Sequence, residues 1–126
     1  MSDLENMAFL KLRPVNDTRI TGQVRPLLCD GERILQQYQG IRDAILFTDR
    51  RVIAVNTQGI TGKKKAFVML PYSRIQAYAI ESAGMIDFDS ELKLWFAGLG
   101  IVKFELFAGA DLTALNRTFS GGMNDV

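Results

Sequence analysis

Residues 40–65 read GIRDAILFTDRRVIAVNTQGITGKKK: two apolar runs flank the polar pair Asp49-Arg50, and a loop bounded by glycines and closed by three lysines follows. Ala44–Thr48 and Val52–Asn56 are rich in β-branched and aromatic residues, the composition of buried strands. The link between them is too short for a parallel crossover, so the two runs must form an antiparallel hairpin with a tight turn at Asp49-Arg50. Asn-Gly is the more usual chemistry for such a turn, but Asp-Arg keeps it polar.

The same period of two extends outward from this hairpin. Upstream, Asp30-Gly31 is a turn that opens a strand over Glu32–Gln39, and downstream strands are predicted over Ala66–Tyr72, Ile75–Ile80, Glu91–Ala97 and Ile101–Phe107. The cleanest alternation puts Leu92, Leu94 and Phe96 on one face and Glu91, Lys93 and Trp95 on the other. Val102, Phe104 and Leu106 repeat it against Lys103 and Glu105, across the short connection Gly98-Leu99-Gly100. Seven antiparallel strands result.

Beyond them, Asp111 is an N-cap for a helix of about 2–3 turns. Leu112, Leu115 and Phe119 fall on one of its faces, and its end is expected before Ser120-Gly121-Gly122. A strongly bent sheet must close or cover its edges, so this helix is read as the plug of a barrel. Residues 1–16 read as a weakly ordered lead-in interrupted by Pro14. Asp17 can cap a short helix carrying Ile20, Val24, Leu27 and Leu28, against which Gly22 and Pro26 both argue. The domain plan is therefore an N-terminal extension over 1–29, a barrel with its helix over 30–120, and a flexible tail over 121–126.

With 126 residues, 48% hydrophobic and 23% charged, the chain suits one globular domain rather than a disordered or fibrous one. No apolar run approaches the roughly 20 residues of a spanning helix. The first thirty residues lack a secretory signal and Cys29 is the single cysteine, so a reducing cytoplasm is the expected location. Charge is nearly balanced overall yet uneven along the chain, +4 over residues 1–65 and −3 over 66–126. Such a chain can offer oppositely charged faces to its own copies, provided the two halves do not intermix in space.

The sequence resembles the bacterial pleckstrin-homology-like family. The residues that carry the resemblance are Asp30-Gly31-Glu32, Arg42-Asp43, Phe47 to Ile53, Gln58 to Lys64, Pro71-Tyr72, Glu81 to Gly84 and Asp87 to Trp95. They run in order over about residues 28–107. The resemblance implies a barrel closed by a C-terminal helix, preceded by a short helix or extension, and association into ring-like homo-oligomers. Eukaryotic pleckstrin-homology domains hold inositol phosphates with basic residues between their first two strands, where this chain has only Gly40-Ile41-Arg42.

There is no histidine, which removes the usual general base, the commonest zinc ligand and every imidazole-dependent triad. Neither catalysis nor a cofactor is expected, and Cys29 is read as a buried, inert thiol. Asp87, Asp89 and Glu91 alternate near a glycine but lack the spacing of a calcium loop, so no metal site is expected. Lys63, Lys64 and Lys65 follow two glycines without the spacing of a phosphate-binding loop. With Arg50 and Arg51 they are candidate contacts for an anion or an anionic lipid surface, to which three lysines alone give weak attraction.

Glu81, Asp87, Asp89 and Glu91 are candidate acidic counterparts of those cations on a neighbouring copy, and Trp95 is a candidate apolar contact. Tyr38 and Tyr78 are considered outward as well, with core packing the competing reading. Trp95 stands beside Glu91 and Lys93 rather than in a basic stripe, so nucleic acid is not an expected partner. The expected function is self-association as an interaction or scaffold module, open to other protein partners; the alternative is peripheral binding of anionic lipid or phosphate.

Overall fold

A computed structural model describes residues 7–58, 64–82 and 89–124. In chain order the elements are β1 (Met7–Pro14), α1 (Thr18–Val24), a 3-10 turn (Arg25–Leu27), β2 (Ile34–Gln39), β3 (Asp43–Thr48) and β4 (Arg51–Gln58). They are followed by β5 (Lys64–Pro71), a second 3-10 turn (Tyr72–Arg74), β6 (Ile75–Ser82), β7 (Ser90–Phe96), β8 (Gly100–Leu106) and α2 (Leu112–Met123). The strands form one sheet in the order β5-β4-β3-β2-β1-β8-β7-β6, curled into a half-barrel.

All seven expected strands are present, and an eighth precedes them. The segment expected as a weakly ordered lead-in is β1, which lies parallel to β8 and joins the two halves of the sheet. Pro14 ends this strand rather than disrupting it, and Phe9 and Leu12 enter the core. Between them the register shifts: Leu10 and Lys11 bulge outward, and Lys11 adopts φ +55°. Bulges of this kind bend a strand where a curled sheet changes direction.

The parity read from the sequence holds in β7 and β8. Leu92, Leu94, Phe96, Val102, Phe104 and Leu106 are buried, while Glu91, Lys93 and Trp95 are half-exposed on the outer face. On the inner face Phe119 of α2 meets Phe47, Tyr72 and Tyr78 at ring-centroid distances of 5.8, 5.5 and 5.3 Å. Tyr38 also faces this core and is buried, so the outward reading of Tyr38 is corrected. Tyr78 packs inward and donates its hydroxyl to Asn116 Oδ1 at 2.7 Å.

A second, smaller core lies on the outer face of β3 and β4. Ala44, Leu46, Ile53 and Val55 are covered there by Ile20, Val24 and Leu28 of the α1 segment. The Asp17 carboxylate caps α1, accepting from Arg19 N at 2.9 Å. Gly22 is tolerated, and the helix gives way to a 3-10 turn where Pro26 intervenes. At the other end of the chain Asp111 caps α2 through Ala114 N at 3.0 Å, as expected. The helix does not stop before Ser120 but continues through both glycines to Met123, because Gly122 lies against the Tyr72 ring.

Candidate interaction site

Two polar assemblies occupy opposite ends of the strands. At the end carrying the 49–50 turn, the Glu32 carboxylate is buried and accepts from Arg51 Nε at 2.9 Å, Arg51 Nη2 at 2.9 Å, Thr48 Oγ1 at 2.7 Å and Cys29 N at 2.9 Å. Burial pushes this carboxyl up, but the hydrogen bonds from Arg51, Cys29 N–H and Thr48 outweigh it and hold its pKa at about 2. Tyr72 closes the assembly by donating to Thr48 O at 2.7 Å.

This assembly places two of the candidate cations. Arg51 is turned inward: besides Glu32 it donates to Leu27 O at 2.9 Å, so its guanidinium ties the α1 segment to the hairpin. Arg50 is exposed, with Nη2 on Asp30 O at 3.0 Å. Cys29 is exposed rather than buried, a correction of the sequence reading, and its Sγ lies 4.0 Å from Arg51 Nη2.

The other end carries the charged surface. On β5, Lys64 is exposed, and Lys65 donates to Thr57 Oγ1 at 3.2 Å. Lys65 shares a groove of about 430 Å³ with Arg19, Arg42, Asp17 and Asp43, floored by Ile20, Ala44 and Val55, in which Arg19 pairs with Asp17 at 3.4 Å. Across the sheet, Glu81 of β6 is opposite Glu91 of β7, which is opposite Glu105 of β8. Like charges directly opposed on one face repel. Lys93 relieves part of this, with Nζ 3.2 Å from Glu81 and 3.7 Å from Glu91, and the Glu81 carboxylate holds the Lys93 pKa above its usual value.

Asp89 sits at the foot of the row, where its Oδ1 accepts from Ala108 N at 3.0 Å. Trp95 is on the same outer face, paired with Ala77 and Ile101. Lys63 and Asp87 lie outside the described residues. Sequence reasoning missed Glu105 as the third member of the acidic row, although the tight 98–100 connection sets the register that places it opposite Glu91. It also missed the Glu32–Arg51 pair, whose partners are separated by two strands and two turns.

A curled sheet with a helix packed into its concave face defines the class of pleckstrin-homology-like domains. The family model described as Bacterial PH domain matches residues 3–121, and this chain belongs to that family. It is 47% identical over 93 residues to the Bacillus subtilis (strain 168) protein YjqA and 42% identical over 72 residues to YozO of the same organism. The matches cover 74% and 57% of this chain but only 66% and 62% of those relatives' own lengths.

Among solved structures, a DUF1696-family protein with a pleckstrin-homology domain from Shewanella loihica PV-4 superposes with a TM-score of 0.73 at 33% identity, over 90% of this chain and 98% of its own. A pleckstrin-homology domain from Shewanella amazonensis SB2B gives 0.61 at 34% identity, over 86% and 89%. A PH-domain-containing protein from Exiguobacterium sibiricum 255-15 gives 0.57 at 19% identity, over 85% and 58%, a likeness of fold alone.

Proposed function

We propose that this protein is a non-enzymatic interaction module that associates with copies of itself through oppositely charged surfaces. The observation that carries the reading is the separation of charge across the sheet. Lys64 and Lys65 stand on the β5 side, and Glu81, Glu91 and Glu105 stand in one row on the β6 side. One surface is the complement of the other and not of itself, so contacts run head to tail and can close into a ring. The absence of histidine from the sequence removes the usual general base, which supports a binding role over a catalytic one.

Light scattering after size exclusion tests this. The expected result is a discrete multimer of the 14.1 kDa chain that loosens as salt is raised from low to high ionic strength. Lys64→Glu/Lys65→Glu should dissociate it, and adding Glu81→Lys/Glu91→Lys to that variant should restore it. A monomer at every protein concentration and salt would overturn the proposal.

A second reading, attachment to an anionic membrane surface, is favoured by one feature. Ile41 is 87% and Leu10 57% exposed; the backbone approaches closely between them, where a β-carbon on Gly40 would lie 3.1 Å from Leu10 O, and Lys11 and Arg13 line one hollow with Ile41. Flotation with phosphatidylglycerol-containing vesicles should then be lost in Leu10→Asp/Ile41→Asp. No flotation of the parent protein removes this reading.

A further inference from the structure

We infer that the hollow between α1 and β2 docks a short acidic segment of a partner protein, with Arg25 and Arg33 meeting its carboxylates and Leu35 an apolar side chain between them. The hollow is built within one chain, so the inference goes beyond self-association and does not depend on it.

Its place follows from the way β1 leaves the sheet. β1 pairs with β2 at Arg13↔Gln39 and Pro14↔Tyr38, Val15 N donates to Gln37 O at 3.0 Å, and the chain then turns away into α1. The first half of β2 is left with β3 on one side and no strand on the other among the described residues. Because α1 packs on the outer face of β3 and β4, a hollow of about 560 Å³ opens between it and β2. That volume falls within the ~300–1,000 Å³ of ligand sites. The register of β2 shifts between Ile34 and Gln36, which makes Leu35 an extra residue with no partner on β3. Leu35 lines the hollow and is 42% exposed.

The chemistry of the walls selects the occupant. Val15 and Leu28, both half-buried, join Leu35 as apolar surface. The exposed charge is of one sign. Arg25 and Arg33 are exposed on the rim; Arg25 forms no ion pair among the described residues, and Arg33 reaches the Asp49 carboxylate only at 4.0 Å. The acid that lines the hollow, Glu32, offers no counter-charge, since its carboxylate is buried and engaged by Arg51, Thr48 and Cys29 N. Two guanidiniums beside an apolar wall complement a segment that carries carboxylates and an apolar side chain, and they repel a basic one. Arginine suits this role because its planar fork grips a carboxylate through two parallel hydrogen bonds.

The test is selection from a phage-displayed library of short random peptides on the immobilised full chain. Enriched sequences should combine Asp or Glu with Leu, Ile or Phe. An enriched peptide carrying a fluorescent label should bind about tenfold more weakly, by anisotropy, to Arg25→Glu/Arg33→Glu and to Leu35→Ser. Lys64→Glu/Lys65→Glu removes the same charge from β5 and should leave binding within about twofold. Amide chemical shifts of the parent protein should move at Thr21, Arg25 and Leu35 on peptide addition, and circular dichroism on each variant checks that the sheet is retained.

Enrichment of basic or purely apolar sequences, or of none, would overturn the inference. So would an equal loss in Lys64→Glu/Lys65→Glu, which would make bulk positive charge the cause, or binding that survives both variants of the hollow. Light scattering separates this site from self-association: the folded Arg25→Glu/Arg33→Glu and Leu35→Ser variants should keep the mass of the parent protein. A changed mass would make a second copy the occupant and overturn the partner assigned here.

Discussion

Gly122 lies against the ring of Tyr72: a β-carbon at position 122 would fall 2.5 Å from Tyr72 Cδ2 and 2.6 Å from its Cβ. The tyrosine cannot retreat easily, because its ring is fully buried against Phe119 and its hydroxyl is anchored on Thr48 O. The close approach of α2 to the 3-10 turn thus depends on the missing side chain.

Gly122→Ala should cost about 1–3 kcal/mol, the range for forcing an extra methyl into a packed core. Gly121→Ala, one residue away with nothing within 4 Å of the added carbon, should instead be neutral or stabilise by up to about 1 kcal/mol through helix propensity. Urea denaturation of the two variants measures the contrast; equal effects would show that the Tyr72 contact is not the reason.

Stability should follow the Glu32 carboxyl at acid pH. Its folded pKa of about 2 lies below the ordinary 4.5, so its contribution is fully present above pH 4.5 and is lost as pH falls from there towards 2. The shift corresponds to roughly 3 kcal/mol. Urea midpoints measured from pH 7 to pH 2.5 should fall more steeply for the parent protein than for Glu32→Gln.

Removing the cation should be worse than removing the acid. Arg51→Ala leaves a buried carboxylate without its counter-charge, a loss of about 3–5 kcal/mol, whereas Glu32→Gln keeps a neutral acceptor for Arg51 and Thr48. Thermal unfolding of the two variants at pH 7 should rank them in that order.

Lys11 holds φ +55°, where a β-carbon is strained by about 1–2 kcal/mol and glycine is not. Lys11→Gly should therefore be neutral or stabilising by up to about 1 kcal/mol, since the bond at this position, from its N–H to Glu105 Oε1, belongs to the backbone. A clear loss in chemical denaturation would show that the Lys11 side chain contributes more than the strain costs.

What was legible in the sequence was local. Strand parity at Leu92–Phe96, the turns at Asp30-Gly31 and Asp49-Arg50, and the caps at Asp17 and Asp111 each follow from residues within a few positions of one another. What was not legible depends on distant partners. Met7–Pro14 is a strand because β8 stands beside it, and its bulge at Leu10 and Lys11 blurs the alternation that would have betrayed it. The helix runs past Ser120 because Gly122 meets Tyr72, so a glycine pair that reads as a terminator serves as a packing surface. Arg51 looked like an external cation because Glu32 is nineteen residues away.

The parallel contact between β1 and β8 also orders events in time. Arg13 and Pro14 pair with β2, but Met7 finds its partner in Val102, so the start of β1 cannot be seated until β8 exists. At a synthesis rate of about 5–20 residues per second, Phe9 waits roughly 5–20 s for Phe104, on which its ring stacks. The contact that unites the two halves of the sheet is thus a long-range one, of the kind that slows folding.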